Sequence, residues 1–209
     1  MLLLDLGRTD FDAADRAQKD ALAARIRGGP DCLVLCEMAP VITLGRGTRP
    51  GAVERVRFPV RSVERGGEAT LHLPGQLVVY PVVGLSGTER DLKLWLRRLE
   101  GIVIRVLGDF GIRGVRDPER TGVWVEGPRG GKICSIGVAV RRWTSYHGFA
   151  LNVDPDLSAF GAIRPCGLDP ARMTSMARVL GAAPDFEEVK HRTVARAVET
   201  LETRARVGA

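Results

Sequence analysis

Apolar and polar positions along this chain follow two different periods, and the switches between them mark out its elements. Met1–Leu6 opens with a nearly continuous apolar run of strand length. Asp10 stands where a helix N-cap would, and the segment from there to about Ile26 reads as a helix stopped by Gly28-Gly29-Pro30. Cys32–Cys36, Val41–Leu44 and Val60–Glu64 are β-rich runs, divided by Met38-Ala39-Pro40 and by the loop-like Gly45–Gly51. Arg65-Gly66-Gly67 is a turn. Gln76–Val82 is a strong strand, expected to end near Pro81 because proline has no N–H for a ladder. From Thr88 the period changes: Leu92, Trp95, Leu96, Leu99, Ile102, Val103 and Val106 recur at helical spacing up to Leu107. Val123–Val125 and Ile133–Val140 flank the turn Gly127–Gly131 as a hairpin, and His147–Val153 is strand-like. Residues 154–165 are irregular, and a last helix runs from Asp185 to about Arg204. Strands and helices intermingle without regular βαβ alternation. The expected fold is therefore α/β of the α+β kind, a mixed sheet flanked by helices, in one domain over residues 1–209.

Composition narrows this picture only in places. A chain of 209 residues with 44% apolar and 27% charged positions can bury one sizeable core, and no apolar run approaches membrane-span length. The N-terminus lacks a basic region and a small-residue cleavage site, so it reads as a strand and the expected location is the cytoplasm. Four irregularly spaced cysteines do not make a disulfide framework. Cys32 and Cys36 would point to one side of a strand, as two buried small hydrophobes; no second Cys/His pair follows to complete a metal site. The net charge of +6, with Arg46, Arg49, Arg55, Arg57, Arg61 and Arg65 in one stretch, suits an acidic partner. Nucleic acid is disfavoured, since aromatics are only 5% of residues and no helix-turn-helix, RRM or zinc-finger pattern is present.

Candidate chemistry centres on a lysine and a cysteine. The basic residues are mostly arginine, with lysine only at 19, 93, 132 and 190. Lys132 lies in Gly130-Gly131-Lys132-Ile133-Cys134-Ser135-Ile136-Gly137, at the start of an apolar run where solubility does not call for lysine. Unlike arginine, lysine can give up its proton at accessible pH. Cys166, in Pro165-Cys166-Gly167, is a candidate nucleophile, because a thiol beside an amine can be held as thiolate. Two further segments are glycine-marked: Arg65-Gly66-Gly67 continuing through Thr70, His72 and Gly75 to Gln76, and Tyr146-His147-Gly148-Phe149-Ala150-Leu151-Asn152-Val153. None is a phosphate loop, since Gly-Gly-Lys-Ile lacks both the Walker spacing and the following Ser/Thr.

Taken together and in this order, the four segments resemble the lipoyl(octanoyl) transferase family over about residues 33–168. That family carries Arg-Gly-Gly…Thr-Tyr-His-Gly-Pro-Gly-Gln, Lys-Ile-x-Ser-Ile-Gly, Tyr-His-Gly-Phe-Ala-Leu-Asn-Val and Pro-Cys-Gly. The resemblance implies the fold of biotin and lipoate protein ligases and a Cys166/Lys132 dyad. Octanoyl-acyl carrier protein would be the donor. Lipoyl domains of 2-oxoacid dehydrogenases and the glycine cleavage H protein would be the acceptors. It further implies a substrate site built from Arg65, Gly66, Gly67, Thr70, His72, Gly75, Ser135, Ile136, Gly137, His147, Gly148 and Ala150. No cofactor, metal or membrane is required, and a monomer is expected. Arg46, Arg49, Arg141 and Arg142 are the candidate docking residues. The chain departs from the pattern at Leu71 (tyrosine in the family), Leu73 (glycine) and Met38-Ala39 (His-Pro), and Leu73 is expected to reshape the acyl slot.

Each of these residues also has a structural reading. Cys166 could be an inert turn cysteine and Cys134 a core residue sharing a face with Lys132; His72, His147 and Asn152 could be satisfied interior groups, and His191 a surface one. The competing functions are an ATP-dependent lipoate or biotin ligase on the same fold, which needs no cysteine nucleophile, and a non-catalytic module that holds acyl carrier protein.

Overall fold

A computed structural model describes residues 1–53, 57–163 and 172–207. In chain order these form β1 (Leu2–Thr9), α1 (Phe11–Ile26), β2 (Cys32–Met38), β3 (Val41–Leu44), β4 (Val60–Ser62), β5 (Ala69–His72), β6 (Gln76–Gly84), α2 (Leu92–Asp109), β7 (Gly114–Arg116), β8 (Val123–Val125), β9 (Gly131–Arg141), β10 (Thr144–Asn152), α3 (Met176–Leu180) and α4 (Phe186–Val207). Seven strands make one sheet in the order β1-β2-β6-β10-β9-β8-β7, and β4-β3-β5 make a second. The sheets are mixed: β1 with β2 and β3 with β4 pair in parallel, and the remaining neighbours are antiparallel.

Strict alternation divides the large sheet between two layers of helix. Cys32, Val34, Cys36, Val78, Tyr80 and Val82 face α1, where Phe11, Ala14 and Leu22 close the layer. Leu33, Leu35, Leu77 and Val79 point the other way, into a cluster with Trp95, Leu99, Ile102 and Val106 of α2 and with Val189, Ala197 and Leu201 of α4. The buried Trp95 indole donates to Ser145 Oγ at 2.7 Å, so it brings no unpaired donor into that core. A third cluster, Ile42, Leu71, Leu73, Phe160, Ile163 and Met173, packs under the small sheet. Among the described residues no helix is long and apolar enough to cross a membrane.

Helix starts follow their carboxylate caps. Asp10 Oδ1 accepts from Ala13 N at 2.7 Å, as the sequence pattern predicts. The second helix begins later than Thr88: Asp91 Oδ1 accepts from Lys93 N and Leu94 N at 2.8 and 3.0 Å, and Thr88 falls in a preceding 3₁₀ turn, Gly87–Glu89. The β6 strand does not stop at Pro81 but continues to Gly84. On one side Pro81 stands opposite Leu33 of β2. On the other, the β6–β10 ladder is interrupted between the pairs Ser145–Val83 and Phe149–Val79, so the missing N–H falls where the ladder is already open. Apolar alternation alone did not mark β5, β7 or α3, which are short.

Candidate active site

A cavity of about 360 Å³ lies where β5 and the loop before it face β9 and β10 of the large sheet. The approach is close because Gly66 N donates to Val138 O at 2.9 Å, joining the Arg65-Gly66-Gly67 turn to β9. Opposite it, a Cβ on Gly137 would sit 3.0 Å from Gly66 O and 3.1 Å from Arg65 Cδ, so a side chain there would push the turn away. The Arg65 guanidinium is buried and holds this wall together. Nη2 donates to Thr43 O and Thr43 Oγ1, both at 2.8 Å, and Nη1 donates to Glu68 O at 2.8 Å and Gly66 O at 3.1 Å.

Two histidines line the cavity in neutral form. Burial, reinforced by the Arg65 charge, drops His72 from its usual range to about 3. The same causes, burial first, hold His147 near 4. His72 Nδ1 is shielded from solvent and has no hydrogen-bond partner among the described residues. His147 has φ +54, in the left-handed region, at the interruption of the β6–β10 ladder. Its backbone N–H turns away from β6 and donates to Gln18 Oε1 of α1 at 2.9 Å, while its Nδ1 lies 3.3 Å from Gln18 Nε2. Tyr146 stacks on the ring at 5.1 Å and Tyr80 meets it edge-on at 5.7 Å.

Lys132 reaches the cavity through a β-bulge. Val123 of β8 pairs with Cys134 but Trp124 pairs with Lys132, leaving Ile133 as an extra residue in β9. Alternation would put Lys132 and Cys134 on one face, as the sequence suggests. Because of the bulge, Ile133 and Cys134 both enter the α2 core, while Lys132 lines the cavity together with Ser135 and Gly137. Cys134 is fully buried and desolvation raises its pKa strongly, so it is a protonated core thiol. Cys36 is likewise pushed up to about 12 by burial. Lys132 is 3% exposed, with Nζ 5.6 Å from the Trp124 ring centroid. Its carbonyl accepts from Thr174 N at 3.0 Å. Behind that contact runs a buried polar chain: Gln76 Oε1 accepts from Leu73 N, Gln76 Nε2 donates to Asn152 Oδ1 at 2.8 Å, and Asn152 Nδ2 donates to Thr174 O at 2.9 Å. Asn152 is thereby a satisfied structural residue.

The cavity brings together Lys132, Arg65, Gly66, Gly67, Thr70, His72, Ser135, Ile136, Gly137, His147, Gly148 and Ala150. Gly75 lies apart from it, in a turn at φ +85 packed against Asp154, where its N–H donates to Glu37 Oε1 at 2.8 Å. Cys166 and Arg55 lie outside the described residues. Leu73 does not border the cavity: on β5 Thr70 and His72 take the cavity face, while Leu71 and, just past the strand, Leu73 enter the third core. Nor does Leu73 need positive φ. Of the proposed docking arginines, Arg46 and Arg141 lie near Glu64 and Tyr146, Arg49 pairs with Glu68 at 3.7 Å, and Arg142 sits at the β9–β10 turn. His191 is exposed on α4. Gln18, Tyr80 and Trp124 were not anticipated. Gln18 had a readable signal, a polar residue on the same buried stripe of α1 as Phe11, Ala14 and Leu22.

Comparison with known proteins accounts for this arrangement. Residues 13–198 match the lipoyl protein ligase A/B catalytic domain. The fold resembles a bipartite lipoate protein ligase from Thermoplasma acidophilum, with a TM-score of 0.73 at 18% identity over 96% of this chain and 83% of that one. Biotin protein ligase from Aquifex aeolicus gives 0.58 at 14% identity over 97% and 69%. In sequence the chain is 45% identical to an octanoyltransferase of Geobacter metallireducens, over 94% of this chain and 91% of the relative. It is 42% identical to one of Mycolicibacterium smegmatis, over 97% and 90%. With such identity along nearly its whole length, the chain belongs to the octanoyltransferase family of acyltransferases, on the lipoate and biotin protein ligase catalytic fold.

Proposed function

We propose that the protein takes an octanoyl group from acyl carrier protein onto Cys166 as a thioester and passes it to a lysine of a lipoyl domain, with Lys132 carrying the protons. The observation that carries this reading is the place of Lys132. It is a nearly fully buried lysine side chain, turned by a bulge into a cavity that also holds eleven other expected site residues, and Thr174 is bonded to its backbone just after the segment that contains Cys166.

The chemistry needs little else. Attack of the Cys166 thiolate on the donor carbonyl forms a new C–S bond and expels the carrier thiolate, which takes a proton from Lys132. The acceptor amine then attacks the acyl-enzyme, its proton passes to Lys132, and Cys166 leaves as thiolate. Thioester to amide is downhill, so no nucleotide is consumed. The glycine wall around Gly66 and Gly137, with Ile136 and Phe149, supports an acyl slot. Neutral His72 and His147 border that slot without adding charge to it. Lipoyl domains of 2-oxoacid dehydrogenases and the glycine cleavage H protein are the expected acceptors.

Intact-mass measurement after incubation with octanoyl-acyl carrier protein tests the reading. A hydroxylamine-labile octanoyl adduct on the wild type and none on Cys166→Ala is the expected result. An adduct on both would remove Cys166 from the mechanism. No adduct, with octanoate and ATP yielding an acyl-adenylate, would replace transfer by ligation.

A further inference from the structure

The β9–β10 hairpin turns on two large side chains in a strained conformation. Arg141 and Thr144 are paired across it, so Arg142 and Trp143 alone make the turn, with φ 49 and 56. A two-residue hairpin turn with positive φ at both positions favours Asn-Gly, and bulky residues are strained there. Burial does not account for the choice, since Trp143 is 44% exposed. The indole is nevertheless held in place. Arg90 Cζ lies 5.4 Å from its ring centroid, and Trp143 O accepts from Leu85 N at 2.7 Å. The bond from Trp95 Nε1 to Ser145 Oγ ties the start of α2 to the same tip. Leu92 and Leu94 at that start, and Val140 near the end of β9, are exposed as well.

Uncompensated charge around this tip is positive. Arg90, Lys93 and Arg142 are exposed, and none of them forms an ion pair among the described residues. The carboxylates beside them in the chain are engaged, Glu89 with Arg98 and Asp91 as the cap of α2. An exposed indole and leucines among such cations fit a partner with an apolar spot set among carboxylates. The tip is joined to the cavity, which is lined by Leu96 of α2, Val138 of β9 and His147 of β10. His147 is four residues from Trp143, about 13 Å of strand. That set-back separates the two partners of the reaction. The acceptor's amine comes on a lysine side chain, so the acceptor must sit against the cavity mouth. The donor's acyl group comes on a long pantetheine arm, so its protein body, acidic throughout the carrier family, can seat that far away. We propose that the Trp143 tip, with Arg90, Arg142 and the start of α2, is the docking surface for the acyl carrier protein that donates the acyl group. This rests on the transfer reaction proposed above.

Steady-state kinetics with two donors of the same thioester, octanoyl-acyl carrier protein and octanoyl-pantetheine, test this on the wild type, Trp143→Gly and Arg90→Gln. Glycine suits the positive φ at position 143, so Trp143→Gly keeps the hairpin, which the thermal unfolding midpoint checks. The apparent KM for the carrier-protein donor is expected to rise about tenfold or more in Trp143→Gly and about threefold in Arg90→Gln. The KM values for octanoyl-pantetheine and for the lipoyl-domain acceptor should not move. An unchanged KM for the carrier-protein donor, or an equal rise with octanoyl-pantetheine, would overturn the proposal. So would a rise confined to the acceptor, which would assign the tip to the lipoyl domain. A dimer in sedimentation that Trp143→Gly dissociates would assign it to a second copy of this chain, and equally overturn it. Carrier binding that weakens in Trp143→Gly, with no acyl adduct on the wild type, would defeat the transfer mechanism and leave the docking surface standing. An adduct that forms from the carrier protein regardless of Trp143 would do the reverse.

Discussion

Alternate residues along β5 and the leucine that follows it face opposite ways and do opposite work. Thr70 and His72 border a cavity whose walls mix glycines with polar and apolar side chains, and His72 Nδ1 there has no hydrogen-bond partner among the described residues. Leu71 and Leu73 enter a solid apolar cluster with Ile42, Phe160, Ile163 and Met173. On β9 the same division separates Lys132 from Cys134, but there a bulge is needed to make it. The contrast teaches that function and stability are separable here by residue parity. Substitutions on the cavity face should change turnover before stability, and those on the other face should do the reverse.

The largest effect expected is on β9. Lys132→Met should lower the rate of octanoyl transfer by about 10²–10⁴-fold, the usual worth of positioned proton transfer. Cys134→Ala, inside the α2 core, should leave turnover of the folded protein within a few fold and show its effect in the urea midpoint. Comparable loss of transfer in the two variants, measured on lipoyl-domain acceptor by mass, would break the division. Next is Leu71→Ala. A fully buried leucine cut to alanine costs about 2–5 kcal/mol of stability, according to how far the cluster can collapse into the space. Denaturant unfolding reads that cost directly, and the acyl-length profile of the folded fraction should stay as in the wild type.

A pH effect of intermediate size belongs to the cavity face. In the folded protein His72 and His147 stay neutral down to about 3 and about 4, whereas in the unfolded chain they protonate near 6.5. Between about pH 6.5 and 4 the unfolded state therefore binds more protons, and stability falls as pH falls, by up to about 1.4 kcal/mol per pH unit for each histidine. Above about pH 6.5 their contribution is constant. His72→Gln should flatten the acid side of the stability profile. A His72→Gln profile parallel to that of the wild type would show that the histidine is already protonated inside the fold.

Much of this was legible in the sequence. Apolar runs marked β2 and β6, helical spacing marked α2, and Asp10 announced the cap of α1. The glycine-marked segments drew Lys132, Arg65, His72 and His147 together because close backbone approach needs residues without Cβ, as at Gly137 against Gly66 O. What was hidden depended on irregularity. A bulge reverses parity without any residue that announces it, so Lys132 and Cys134 seemed to share a face. Pro81 seemed a strand end because the opening in β10 that accommodates it is set by His147 and Gln18, far away in sequence. Trp124 escaped because a lone indole carries no periodic signal, and Gly75 looked like a site residue because a turn glycine and a cavity glycine read alike.

The smallest effect expected concerns Leu73, and it sharpens the comparison most. A leucine in place of the family's glycine looks, in the sequence, like a change to the acyl slot. In the fold it fills the third core at 5% exposure, two positions along from Leu71 and on the side of β5 away from the cavity. Leu73→Met nearly conserves volume, so it should cost less than about 1.5 kcal/mol. The ratio of transfer rates for hexanoyl, octanoyl and decanoyl donors should be unchanged. A core residue can still act on the slot through the strand it anchors, because Leu73 N donates to Gln76 Oε1 and that side chain continues through Asn152 to Thr174 and Lys132. That route predicts a different signature: a uniform fall in kcat for all three donors, with their ratios intact. A shift in the ratios themselves requires contact with the acyl chain, which the opposite face of β5 does not make.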